Sequence, residues 1–254
     1  RFFTHFFHKL GLVADPEPFG RMYFHAKILA PDGTAFSKSK GNGVDPLEVI
    51  NSGYGADALR TYIMFMAPPD VESPWNNDGV PGCYRFLNRV WVLTQEYLEK
   101  TSQEIGTSVA NEHEVKVLQS IHKAINKVTQ DIEAVKLNTA ISSMMECTNE
   151  LYKLKEVDDF TAPAWKFALE SLLQILAPFA PHISEELWHQ LGHEDSVHRD
   201  HWPVLDEQYL VVDEITLAVQ VNGKVRAEIT VVSSSSQEEI TALALRQENV
   251  QDRK

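Results

Sequence analysis

The apolar positions of this chain follow three different rhythms. In the middle they recur every three or four residues. Phe86, Val90, Leu93 and Tyr97 form one such set, and Leu118, Ile121, Ile125, Val128, Ile132 and Val135 a second. Leu137, Ile141, Met144, Thr148 and Leu151 continue the rhythm, followed by Trp165, Leu169, Leu172 and Leu176. Each set is one face of an α-helix. Long amphipathic helices with short connections predict an antiparallel helical bundle. The stretch APFAPHISEELWHQLG ends one helix at Pro178, opens the next near Pro181 and stops it at Gly192.

Beyond HWPVLDEQY the period drops to two. Ile215, Leu217 and Val219 alternate with other residues, as do Val225, Ala227, Ile229 and Val231. This is a β-hairpin pattern around VNGK. A two-residue Asn222-Gly223 turn would set Val219 against Arg226, apolar against charged. A three-residue loop, Val221-Asn222-Gly223, instead pairs Val219 with Val225 and Ile215 with Ile229, and gives Gly223 the left-handed position. That loop is the expectation. SSSSQEEITALAL then reads as a polar linker and a helix, the start of a small α/β unit.

The first part of the chain is mixed. Residues 1–11 fit a helix closing near Gly11, and YFHAKILA fits a short strand running into a tight Pro31-Asp32-Gly33 turn. DPLEVI reads as a short helix capped by Asp45 with Pro46 in first position, and GADALRTYIMFM as a second helix. APPDVESPW is a Pro-rich loop with no core of its own. The expected units are 1–78, 79–205 and 206–254, a multidomain and mainly α chain. It opens in mid-helix at RFFTHFFHKLGL and closes on a helical pattern with no stop signal, so it reads as part of something longer.

Composition narrows the classes. With 254 residues and 43% apolar content, the chain can bury real cores. Its net charge of −13 excludes a general nucleic-acid coat, so any RNA contact must use local basic patches and be salt-sensitive. Cys83 and Cys147 lie far apart, which argues for a reducing, cytoplasmic setting and against a disulfide framework or a Cys-rich zinc site. No apolar run reaches membrane-spanning length, so no membrane partner is expected. His189, His193, His198 and His201 lack ligand spacing, and no metal site is expected there. Trp75, Trp91, Trp165, Trp188 and Trp202 read as packing residues.

One stretch stands apart chemically. GTAFSKSKGNGVDP crowds Lys38, Lys40, Ser37, Ser39, Gly33, Gly41 and Gly43 together in an acidic chain. Such a composition suits a solvated surface loop. It also suits phosphate binding: glycines let the backbone approach a ligand, Lys38 is a compact cation on a long stem, and the serines offer hydroxyls. Walker spacing is absent, which leaves a clamp that closes on a triphosphate.

The order of motifs carries a resemblance. FSKSKGN followed by VDPLEVI and YGADALRTYIMF resembles the second signature, K-M-S-K-S, of class I aminoacyl-tRNA synthetases. LAPFAPHISEELWHQLG resembles the helix pair of that class's anticodon-binding bundle, and VQVNGKVRAEI the C-terminal hairpin of its leucine-specific members. Lys40 after the second serine also fits the leucine enzymes better than those for valine or isoleucine. Ala35-Phe36 stands where the motif begins Lys-Met, so one lysine is lost. The first signature, H-I-G-H, is absent, and HFFH at residues 5–8 is no substitute.

The resemblance implies the end of a Rossmann-type catalytic domain, an antiparallel helical bundle and a partial α/β domain. It implies a leucine–tRNA ligase activity, with ATP and accompanying Mg2+, leucine and tRNA(Leu) as partners, completed by an N-terminal half outside this chain. Lys38 takes the catalytic role, and Ser37, Ser39 and Gly41 join it in holding ATP. Arg85 and Arg89, four apart on one helix, are candidate phosphate contacts or a solvated helix edge. Lys224 and Arg226 near the hairpin tip are candidate tRNA contacts too. The competing readings are a non-catalytic tRNA-binding module, a subunit of a split synthetase, or a ligase for valine, isoleucine or methionine.

Overall fold

The computed structural model describes residues 1–101, 112–156, 160, 163–210, 214–221, 224–232 and 235–247. Among these residues the fold is mainly helical with two small sheets. Helix α1 spans Phe2–Lys9 and ends at Gly11. Strand β1, Ile28–Leu29, pairs in parallel with β2, Ser73–Pro74. The strand expected over 23–30 is therefore confined to two residues. Pairing extends only where a partner backbone runs alongside, from the Ala26 N–H on the Pro69 carbonyl (2.7 Å) to the Trp75 N–H on the Leu29 carbonyl (2.9 Å).

Helix α2, Pro46–Val49, starts as its sequence requires: Asp45 accepts from the Leu47 N–H at 2.8 Å and Pro46 occupies the first turn. A wide turn at Ile50–Tyr54 leads into α3, Gly55–Phe65. The Pro-rich segment after α3 folds back onto it. Trp75 meets Tyr62 edge-on at 5.0 Å, and the Tyr62 hydroxyl accepts from the Asn76 N–H at 2.9 Å. The Tyr62 ring also dictates how the next helix begins. A Cβ at Gly79 would lie 2.0 Å from it, so α4 opens on a residue with no side chain.

The bundle comprises α4 (Gly79–Thr101), α5 (Glu112–Glu133), α6 (Leu137–Leu154), α7 (Pro163–Leu176) and α8 (Pro181–Gln190). Their apolar stripes meet as the three-and-four spacing predicts: Val90, Leu93, Ile121, Ile125, Ile141, Met144, Trp165, Leu169 and Leu172 are all buried. Val135 departs from its expected face. It lies past the end of α5, at φ +56° in the turn before α6. Helix α3 packs against α4, α6 and α8, so one apolar core runs from Ala58, Leu59, Tyr62 and Trp75 into the bundle.

The C-terminal hairpin pairs β3, Glu214–Val221, with β4, Lys224–Val232. Its register corrects the expected three-residue loop. Val221 pairs with Lys224, leaving Asn222 and Gly223 between the strands and outside the described residues. A bulge then skips Arg226, so Val219 faces Ala227, Leu217 faces Ile229 and Ile215 faces Val231. Apolar still meets apolar, by a bulge and not by a longer loop. Helix α9, Gln237–Leu245, follows, opened by a capping box between Ser236 and Glu239.

Candidate functional site

The glycine-, serine- and lysine-rich loop hangs from β1. The Ala30 N–H donates to the Thr34 carbonyl and the Gly33 N–H to the Ala30 carbonyl, both at 2.8 Å. Asp32 Oδ1 accepts from the Thr34 N–H (2.9 Å) and hydroxyl (2.8 Å), and these bonds hold its carboxyl below the usual range. Leu29 bridges to Ala35, and the chain then turns.

Lys38–Lys40 form a single tight turn, in which the Lys40 N–H donates to the Ser37 carbonyl at 3.1 Å. The Ser37 and Ser39 hydroxyls lie 2.8 Å apart. Gly41 sits at φ +61° with nothing within 4 Å of where a Cβ would be, so the left-handed backbone demands glycine while the space beside it stays open. Asn42 closes the loop. Its Oδ1 accepts from the Ser37 N–H at 2.8 Å, and its Nδ2 donates to Thr34 Oγ1 (3.2 Å) and the Ala35 carbonyl (3.3 Å). Ser37, Ser39, Gly41 and the Lys38 backbone thus share one turn, half-buried at Ser37 and exposed from Ser39 to Gly41. The Lys38 side chain lies outside what the structure describes.

The candidate RNA contacts are spread out. Arg85 is exposed on α4. Arg89, one turn on, lies 4.4 Å over the Tyr152 ring and donates to Asn149 Oδ1, while the Tyr152 hydroxyl donates to the Arg89 carbonyl at 2.9 Å. Its cation thus ties α4 to α6. The adjoining groove, about 430 Å³, is lined by Glu146, Glu150 and Glu156 as well as Lys153, a poor match for phosphate. Arg226 is the bulged residue of β4, and its Nε is buried without a hydrogen-bond partner among the described residues. The Lys224 side chain is outside the described part.

The C-terminal histidines have separate partners. His193 stacks on Trp188 at 3.7 Å and places Nε2 2.7 Å from Glu170. His189 Nδ1 lies 2.7 Å from the His193 carbonyl, and His198 Nε2 3.4 Å from that of Pro181. Trp202 is the least packed tryptophan, 38% exposed, yet its Nε1–H donates to Thr129 Oγ1 at 2.8 Å.

Sequence reading missed a junction between α3 and α8. Asp57 Oδ2 accepts from the Ile183 N–H at 2.8 Å, and Oδ1 lies 2.7 Å from His182 Nδ1. The residue preceding α8, Ala180, has no capping side chain, so an acid from another helix supplies the cap. Arg60, one turn further along α3, donates to the Pro178 carbonyl at 3.3 Å. An acid in the first turn of α3 was the only sequence signal.

Residues 114–242 match the anticodon-binding domain of tRNA ligase, and residues 4–75 match tRNA synthetases class I (I, L, M and V). The chain is 40% identical to the leucine–tRNA ligase of Herpetosiphon aurantiacus, over 98% of this chain and 30% of that protein. It is 42% identical to that of Petrotoga mobilis, over 99% of this chain and 31% of the relative. The Deinococcus radiodurans ligase is 39% identical, over 96% and 29%. The chain therefore spans about 30% of the length of the relatives it matches. In structure it resembles the Agrobacterium radiobacter K84 agnB2 LeuRS of a LeuRS–tRNA–LeuAMS ternary complex, with TM-score 0.74 and 32% identity, covering 100% of this chain and 32% of that one. The helical body and the loop-bearing segment before it are thus related together to leucine–tRNA ligases, and the chain belongs to the family of anticodon-binding domains of tRNA ligases.

Proposed function

We propose that this chain is the part of a leucine–tRNA ligase that carries the pyrophosphate clamp and the tRNA-holding bundle. The observation that carries the reading is the Ser37–Gly41 turn, strapped at its base, in a chain related over nearly all its length to leucine–tRNA ligases.

In the reaction, a leucine carboxylate oxygen attacks the α-phosphorus of ATP. The bond to the bridging oxygen of the β-phosphate breaks, and pyrophosphate departs with the electron pair. ATP and its Mg2+ enter together as substrate. A hydroxyl of the terminal adenosine of tRNA(Leu) then attacks the adenylate carbonyl; the bond from that carbon to the phosphate oxygen breaks, AMP leaves with the electron pair, and the hydroxyl proton is lost to solvent. Charge grows on the departing pyrophosphate in the first step. The Lys38 ammonium, on a turn with open space beside Gly41, is suited to meet it, with the Ser37 and Ser39 hydroxyls and the Gly41 backbone in support. Their help counts only if it is stronger in the transition state than in the ground state.

The rest of the chain supports the same division of labour. Helix α1 exposes Phe2, Phe3, Phe6 and Phe7, and β1–β2 is a parallel pair with no third strand in its sheet among the described residues. Parallel sheets are normally buried on both faces. In a protein of the relatives' length, the remainder of a Rossmann-type catalytic domain would cover this surface. Alone, the chain would be inactive. Of the two arginines on α4, Arg85 is the better placed for a tRNA phosphate, because Arg89 is already engaged by Tyr152 and Asn149. Lys224 and Arg226 would serve the hairpin in the same way.

The test is Lys38→Ala in the complete ligase. Pyrophosphate exchange should slow by about a hundredfold, on the order of 3 kcal/mol of transition-state stabilisation, with tRNA affinity unchanged. Unchanged exchange would leave the chain as an RNA-binding module.

A further inference from the structure

The loop's mechanical design points to a residue outside the serines and lysines. Asn42 is half-buried at the loop's base, and its one carboxamide makes three hydrogen bonds, one to Ser37 and two to the adjacent Thr34 and Ala35. The Oδ1 takes the Ser37 N–H, the residue immediately before Lys38. The Nδ2 reaches Thr34 and Ala35, on the arm that leaves β1. The Thr34 hydroxyl accepts from Asn42 and donates to Asp32, which links the strap to the tight turn below it. An amide is suited to this place because it donates and accepts at once; a carboxylate or an ammonium would satisfy only one side.

The consequence is geometric. The bond from Ser37 to Asn42 and the Lys40-to-Ser37 turn bond enclose residues 37–42 in a small ring. Lys38 leaves that ring from a backbone whose two ends are fixed to each other. Without the strap, Ser37 loses its N–H partner, and the arm at Thr34–Ala35 is no longer tied to the far side of the turn.

We infer that Asn42 is a positioning residue for adenylate formation, holding the turn so that Lys38 meets the departing pyrophosphate. The inference rests on the clamp role proposed for Lys38. Placement errors near 1 Å in a reacting group cost about a hundredfold in rate, so the strap matters although it touches no substrate.

The experiment measures ATP–pyrophosphate exchange in the complete ligase for Lys38→Ala, Asn42→Ala, Asn42→Asp and the Lys38→Ala/Asn42→Ala pair, with Thr34→Val as an independent cut of the strap. Asn42→Ala should lower kcat by about tenfold to a hundredfold with little change in KM for ATP. Asn42→Asp keeps the acceptor for the Ser37 N–H and should recover part of that loss. Thr34→Val removes one of Asn42's bonds, together with the hydroxyl's bond to Asp32, and should lower kcat in the same sense, less severely. In the Lys38→Ala background, Asn42→Ala should cost almost nothing more, because the strap acts through the lysine. If Lys38→Ala is slow while Asn42→Ala and Thr34→Val match the unsubstituted enzyme, the strap has no catalytic role and the clamp reading stands. If Asn42→Ala costs as much with Lys38 absent as with it present, the strap does not act through Lys38. If Lys38→Ala itself is unimpaired, the clamp reading falls and this inference falls with it.

Discussion

His122 fastens the segment that leads out of the bundle. Its ring is stacked between Phe167 (5.2 Å) and Tyr209 (5.0 Å), and Nδ1 accepts from the Asp206 N–H at 3.2 Å, which places the proton of the neutral ring on Nε2. Burial pushes its pKa below the ordinary histidine value, with Asp206 pulling weakly the other way. The folded state therefore binds fewer protons than the unfolded chain just below the ordinary value, and stability rises with pH through that window. We expect the melting temperature to fall as pH drops from about 7.5 to about 5, and His122→Gln to flatten the part of that slope due to the ring. The Ser37–Gly41 turn itself could be located from residue types. Asn42, Asp57 and His122 could not. Each is defined by a partner five to more than a hundred residues away, and a side chain's reach leaves no period in the sequence.

At the scale of elements, hydrophobic periodicity was enough to find the bundle. Each predicted stripe is mostly buried, and α7 contributes Trp165, Leu169, Leu172 and Leu176 to the centre. Leu172 has no exposed surface, so Leu172→Ala should cost about 2–5 kcal/mol in denaturant unfolding, the upper end if neighbours fail to close the cavity. The hairpin marks the limit of the method. Alternation fixes a register only modulo two. A three-residue loop and a two-residue connection with one bulge both set Val219 opposite an apolar residue, Val225 in one case and Ala227 in the other. Nothing in the period separates them. The shortness of β1 was equally hidden, since a strand's length depends on how much partner backbone lies beside it.

At the scale of the whole molecule, the loop-bearing segment and the bundle share one core and one polar junction. Asp57 has 11% of its side chain exposed and caps a helix it does not belong to. Asp57→Ala should destabilise the chain by about 1–2 kcal/mol in equilibrium unfolding, and Asp57→Asn, which still accepts from the Ile183 N–H, by less. The same junction sets a rule for exchanging parts among relatives. A chimera that took its bundle from one ligase and its loop from another would splice within a single cap, between an acid in α3 and the backbone that opens α8. The backbone donor at 183 comes with any residue but proline, so the side chains that would have to match are those at 57 and 182, although 125 positions of chain separate them.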